Sequence, residues 1–287
     1  MILSEVQKFL RDAPHHWETR ESTKVQESLA LLKTQAVSKE NEAFAKDIWC
    51  YEALLKAQDK YIQAFSQIRE GDFYEAWCNL EQAEIKLHHL RKHFQDQKDQ
   101  YCVSFMEEHI KKIQSLYPYK LFSSIGFVKK EVRCGICNSV ITPRSNCGHR
   151  KGEIYRGVMC THIVTELEFF ESSFVTSPRH KYAVPFLVGE DGEKYDQYDY
   201  TFVDQVICTL NSPFQWWDYE WTKKEVPHYL YKNLDESEAC PCESGIAYGE
   251  CCRKRRGVIR PRLQVYLKEP LPTGVPSEVF INFPESE

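Results

Sequence analysis

The chain has 287 residues, of which 13% are aromatic, and it carries 37 Lys and Arg against 42 Asp and Glu. That length holds two or three domains at roughly 100–200 residues each, and the aromatic content excludes general disorder. No stretch approaches the ~18 consecutive apolar residues of a membrane span, and the N-terminal segment carries Glu5, Asp12 and Glu18 where a signal peptide would be basic and then apolar. The expectation is a soluble cytoplasmic protein with no membrane contact.

Residues 1–118 read as helical. Val25, Leu29, Leu32 and Ala36 recur at steps of three and four, and Phe73, Ala76, Leu80, Ala83, Leu87, Leu90 and Phe94 form a longer seam of the same kind. Gly71 ends one helix and Asp72 is placed to cap the next, while a further helix over about 100–115 stops before Pro118. The expected architecture is an antiparallel helical bundle. Residues 61–83, with Gly71, Tyr74 and Ala76 near the turn, are loosely similar to a tetratricopeptide hairpin, but only one such unit is present and repeat arrays need about three.

Residues 119–233 read as a mixed α/β domain, making the whole chain α+β. The segment 182–188, with Pro185 inside it, is an edge-strand candidate. A turn at Glu190-Asp191-Gly192-Glu193 follows, and then the alternating aromatics Tyr195, Tyr198, Tyr200 and Phe202 suggest a second strand. The group Phe214, Trp216, Trp217, Tyr219 and Trp221 is interleaved with Asp218 and Glu220, which suits core packing or a protein interface better than base stacking.

The 12 cysteines discriminate between a disulfide scaffold and metal sites. Cys50, Cys78 and Cys102 sit singly in helical patterns, whereas most of the others form two tight groups, which favours reduced thiols and metal. The first group is Cys134-Gly135-Ile136-Cys137 with Cys147-Gly148-His149. It supplies three thiolates and one imidazole, a donor set for structural Zn2+ in a zinc-ribbon-like knuckle. Cys160 and His162 follow, and either can replace one ligand or belong to the core. A redox C-x-x-C motif is disfavoured because Pro143 comes soon after and no helix is evident.

The second group runs Cys240-Pro241-Cys242-Glu243-Ser244-Gly245, then Tyr248 and Cys251-Cys252. Four thiolates fill a tetrahedral zinc ion, and the Ser-Gly turn lets the chain double back to bring both pairs to it. Residues 240–252 resemble the SEC-C motif, the zinc-binding module at the end of the protein-export ATPase, matching at Cys240, Pro241, Cys242, Ser244, Gly245, Tyr248, Cys251 and Cys252. The resemblance implies a small non-catalytic module at 234–287 that touches other proteins, the ribosome among them, or nucleic acid. The chain departs from the motif at Glu243, Ile246, Ala247 and Gly249, where glycine or lysines are usual.

Charge is segregated along the chain. Residues 253–268 hold seven Lys or Arg and no Asp or Glu, whereas residues 186–250 hold four against fourteen. Arg253, Lys254, Arg255, Arg256, Arg260 and Arg262 exceed what a zinc–tetrathiolate centre of net charge about −2 needs for compensation, so they read as a contact surface for phosphates or an acidic protein. The functional expectation is a non-enzymatic adaptor with two structural Zn2+ ions. It would dock protein or nucleic acid through the helical N-terminal domain and the basic C-terminal region. Two alternatives stay open: a hydrolase working through Glu153 or His162 near the first zinc, and an accessory protein of a mobile element or defence system.

Overall fold

The computed structural model describes residues 2–145, 147–268 and 278–282, in two compact units, Met1–Tyr198 and Asp199–Glu287. With 39% of the chain helical and 24% in strands, the α+β expectation holds at the level of class.

The first unit begins with α1 (Leu3–Arg11), α2 (Ser22–Ser38), α3 (Glu42–Glu70), α4 (Phe73–Leu90) and α5 (Val103–Leu116). Along α4 the expected seam is real: Ala76, Leu80, Ala83, Leu87 and Leu90 are all buried. Phe94 falls beyond the end of α4 and packs edge-on against Tyr51 and Tyr101. Gly71 closes α3 at φ +84°, a left-handed conformation that glycine adopts without a Cβ penalty. Asp72 does stand at the N-cap of α4, but its side chain makes no capping bond. The cap missing there appears at α5, where the Asp99 carboxylate accepts from the amides of Ser104 and Phe105 at 2.7 and 3.0 Å.

After the helices, β1 (Phe122–Cys134) runs out to a short hairpin of β2 (Ile154–Tyr155) and β3 (Val158–Met159), and β4 (His162–Val175) returns antiparallel to β1. This long two-stranded ribbon was not anticipated, because no single turn signals it and its register is broken by bulges. Directly opposed residues share a face, so the pairs Ser123–Phe174, Ile125–Ser172, Phe127–Phe169 and Lys129–Leu167 put Ile125, Phe127, Leu167, Phe169 and Phe174 on one side. All five are exposed, Phe174 by 69%.

The expected strand over 182–188 shrinks to β5 (Leu187–Val188), paired with β6 (Lys194–Tyr195) around the Gly192 turn, where φ is +81°. Upstream of β5 the backbone is held by side chains instead, with Trp77 Nε1 donating to the Lys181 carbonyl at 2.6 Å and the Tyr74 hydroxyl to that of Tyr182 at 2.8 Å. The Trp77 ring also packs on Tyr117, Tyr119 and Phe122. These contacts bind helices and ribbon into one unit, so the expected boundary at 118/119 lies inside it.

The second unit consists of α6 (Thr201–Thr209) and a sheet in the order β7 (Trp217–Val226), β8 (Val258–Leu267) and β9 (Glu278–Asn282). Residues 200–202, expected to continue a strand, lead into α6, whose first turn is fixed by Asp199 accepting from the Thr201 amide at 2.9 Å. Phe202, Val203, Val206 and Ile207 of α6 are buried, as are Trp217, Leu263, Val265 and Ile281 of the sheet. β7 and β8 pair continuously from Trp217↔Leu267 to Val226↔Val258. The second cysteine group therefore sits in the connection between two paired strands, and the expected boundary at 233/234 cuts through that pairing. Among the described residues no helix is long and apolar enough to cross a membrane.

Candidate metal centres

The first centre forms where β1 ends. Cys134 closes the strand and the chain turns through Asn138 at φ +59°, with the Asn138 amide donating to the Cys134 carbonyl at 2.8 Å. Gly135 is required by space: a Cβ there would lie 2.5 Å from Thr161 Oγ1 and 3.1 Å from the Thr161 carbonyl, to which the Gly135 amide itself donates. Gly148 is required by conformation, at φ +82°. The resulting turn aims backbone amides at sulfur. N–H groups of Cys137 and Ile136 bring the Cys134 thiol down to about 7, and Ser139 lowers that of Cys137. A thiol already inclined to ionise binds a cation with less competition from protons.

Cys134, Cys137, Cys147 and His149 bring one donor atom each to within 4.8 Å of one another. His149 Nδ1 is buried and has no hydrogen-bond partner among the described residues, an arrangement that costs free energy unless a ligand such as a metal ion takes the lone pair. The imidazole is set edge-on against Tyr155, whose hydroxyl accepts from the Arg150 amide. Cys160, fully buried, places its sulfur 3.9 Å from that of Cys134. Two sulfurs on a tetrahedral ion with bonds of about 2.3 Å stand about 3.8 Å apart, so the Cys134–Cys160 spacing matches that of two shared ligands. Burial, followed by its neighbour Cys134, pushes the Cys160 thiol up to about 11. Cys160 nevertheless stands beside the four clustered donors rather than among them. His162, the other residue held open for this site, instead lines a cavity against α4.

The second centre is Cys240, Cys242, Cys251 and Cys252, again with all donor atoms within 4.8 Å. Glu243 at φ +63° and Gly245 at φ +75° make the reversal, and the Cys240 amide then donates to the Ile246 carbonyl at 2.9 Å. Cys242 and Cys251 sulfurs stand 3.4 Å apart, and the Ser244 hydroxyl lies 3.2 Å from Cys251 Sγ. Despite burial, Ser244 and the neighbouring thiols hold the Cys242 thiol down to about 6, while burial drives that of Cys252 up to about 12. Cys240 and Cys252 also belong to a small core with Tyr248 and Val258.

One residue that the sequence did not flag organises this centre. His228 Nε2 lies 2.9 Å from the Arg255 carbonyl and must donate to it, which leaves Nδ1 to accept from the Tyr248 hydroxyl at 2.6 Å. No spacing rule reveals it, because His228 precedes the first cysteine by twelve residues and acts through Tyr248 rather than on the metal.

The six basic residues separate into two sets. Arg253, Lys254, Arg255 and Arg256 are exposed, with Arg253 also pairing with Glu236 at 3.2 Å. Arg260 donates to the Pro241 carbonyl, and Arg262 contacts Thr222 Oγ1 and lies over the Phe280 ring. These two serve the fold, so the expected contact surface narrows to 253–256. Around the centre itself a groove of about 520 Å3 is lined by Trp221, Ile246, Ile259 and Pro261, by Lys223, Arg255 and Glu243, and by Cys242, Cys251 and Cys252.

Glu153, the carboxylate considered as a base near the first centre, is exposed and lines no cavity among those described. Compared with protein-family models, with curated proteins and with solved structures, the chain finds no match.

Proposed function

We propose that the protein is a non-enzymatic adaptor with two structural zinc ions, and that its second unit docks an acidic segment of a protein partner through a module of the SEC-C kind. The observation that carries this is the second centre: four thiol donors lie within 4.8 Å of one another, and the exposed Arg253–Arg256 follow them directly beside a groove holding Trp221, Ile246 and Ile259. Zinc suits both donor sets, being tetrahedral and tolerant of thiolate and imidazole without redox chemistry. A hydrolytic centre needs an open position for water, and four clustered donors at the first centre, enough to fill a tetrahedral ion, work against one. The apolar side chains in the groove, Trp221, Ile246, Ile259 and Pro261, favour a protein segment over nucleic acid. The exposed apolar face of the β1–β4 ribbon gives the first unit a surface for protein contact beside the helical one expected from sequence.

The test is fluorescence anisotropy on the zinc-loaded chain, using a labelled peptide that alternates Glu with Leu and Phe and a labelled single-stranded RNA of equal length. The peptide is expected to bind, to weaken with salt, and to be lost when Arg253, Lys254, Arg255 and Arg256 are all changed to Glu. Unchanged peptide binding in that variant would remove the basis of the assignment. Binding of RNA alone would move the partner to nucleic acid.

A further inference from the structure

The β1–β4 ribbon has two unlike faces. Phe122, at its base, is buried and stacks on Trp77, so that side of the ribbon is turned to the helices. Farther along the same side Glu171 is exposed and Glu168 pairs with Lys130. The other face is built from four opposed pairs: Ser123–Phe174, Ile125–Ser172, Phe127–Phe169 and Lys129–Leu167. Its five large apolar side chains are 40–69% exposed.

Such a face is unfavourable in water. Side chains of this size carry about 150–200 Å2 each, so five of them half exposed present roughly 500 Å2 of apolar surface, at the upper end for the largest patch of a monomer. A stable interface buries about 800 Å2 per partner, and Ser123, Lys129, Ser172 and the strand backbones of the same face bring that within reach. Two strands alone are also marginal, and a second sheet stacked about 10 Å away gives them a core.

We propose that this face joins two copies of the chain, ribbon stacked on ribbon about a two-fold axis parallel to the strands. That axis sets β1 of one copy over β4 of the other at the same level. Ser123 then lies over Phe174 of the second copy, and Ser172 over its Ile125, so that each small side chain receives a large one. Phe127 meets Phe169 midway, and the stem of Lys129 covers Leu167 while its ammonium reaches water. An unrelated partner would have to supply this pattern of sizes, whereas a second copy carries it already. An anionic lipid surface fits less well, because Glu131, Glu166, Glu168 and Glu171 outnumber the Lys and Arg of the ribbon. The assignment rests on the ribbon as a protein-contact surface and is independent of Arg253–Arg256.

Sedimentation velocity of the full zinc-loaded chain, over about 1–100 µM, tests it. The expected species has twice the 33.8 kDa mass of the chain. Phe127→Lys and Phe169→Glu are each expected to weaken association at least about tenfold, since each buries an unpaired charge twice in the dimer. Mixed in equal amounts, the two variants are expected to recover most of it. One lysine then faces one glutamate, and the other contact is Phe127 on Phe169 as in the unaltered chain. Recovery on mixing also separates loss of the interface from loss of the fold. Peptide binding at Arg253–Arg256 is expected to persist in both variants, which keeps this outcome apart from docking by the second unit. A monomer throughout the range, dimers indifferent to either variant, or no recovery on mixing would each overturn the proposal. So would a monomer that sediments with phosphatidylglycerol vesicles and loses them on Phe169→Glu.

Discussion

The two cysteine centres solve the same coordination problem in opposite ways. At the second, thirteen consecutive residues supply every donor, and two of the sulfurs are themselves core, packed with Tyr248 and Val258 between the paired strands β7 and β8. At the first, the donors are drawn from residues 134–149, Cys137 is exposed, and the segment is fastened to the helices from outside. His93 Nε2 meets the Gly152 carbonyl at 2.7 Å, and the Arg156 amide donates to Glu42 at 2.8 Å. One centre is the interior of its surroundings; the other is a clasp at the end of a ribbon. The lesson is that similar donor counts imply different consequences of loss, depending on what else the ligands hold.

The largest effect expected from this difference is in the second unit. Structural zinc in small modules contributes on the order of 10–16 kcal/mol to folding, as much as the whole stability of an ordinary domain. Cys252→Ser is expected to release one zinc ion per chain, measured by inductively coupled plasma mass spectrometry. It should also abolish the near-UV circular dichroism of Trp217 and its neighbours while leaving most of the far-UV helical signal, because α1–α5 lie in the first unit. Retention of two zinc ions in the variant would break the comparison at its root.

A second, smaller effect is expected at the first centre, where Cys160 stands beside the four clustered donors. Cys160→Ser is expected to keep the metal with affinity lowered about 10–100-fold, the cost typical of losing a supporting group at a metal site. His149→Ala, which removes one of the four donors, is expected to cost more. Competition with a chromophoric chelator reads both. If Cys160→Ser loses the ion outright while His149→Ala keeps it, Cys160 rather than His149 is the fourth ligand.

How much of this was readable in advance follows the range of the interactions. Both donor clusters were legible because their members are close in sequence, and the question over Cys160 was visible too, its place beside Cys134 being set by the fold. The β1–β4 ribbon and the β7–β8 ladder were not legible, since strands separated by dozens of residues leave no periodic mark on each other. Tyr195, Tyr198, Tyr200 and Phe202 mimicked a strand by spacing. What chose helix at 201 was the Asp199 carboxylate holding the Thr201 amide just ahead of the helix, and the burial of Phe202, Val203, Val206 and Ile207 on one side. Arg260 and Arg262 counted as surface charge in the sequence because their partners, Pro241 and Phe280, are remote along the chain.

The finest test compares the outer supports of the two centres. His228 joins Tyr248 to the Arg255 backbone and so fixes the chain on both sides of Cys251 and Cys252, whereas at the first centre Tyr155 holds only the exposed Arg150 amide. His228→Ala strips a buried hydroxyl of its acceptor and a carbonyl of its donor, with an expected cost of about 1–3 kcal/mol in chemical unfolding of the second unit. Tyr155→Phe removes one bond whose amide water can satisfy, and about 0.5–1 kcal/mol is expected there. Zinc content should stay at two in both, since neither residue donates to the ion. Equal costs in the two variants would mean that the second centre stands on its thiols alone, and that its burial, rather than the histidine bridge, sets it apart from the first.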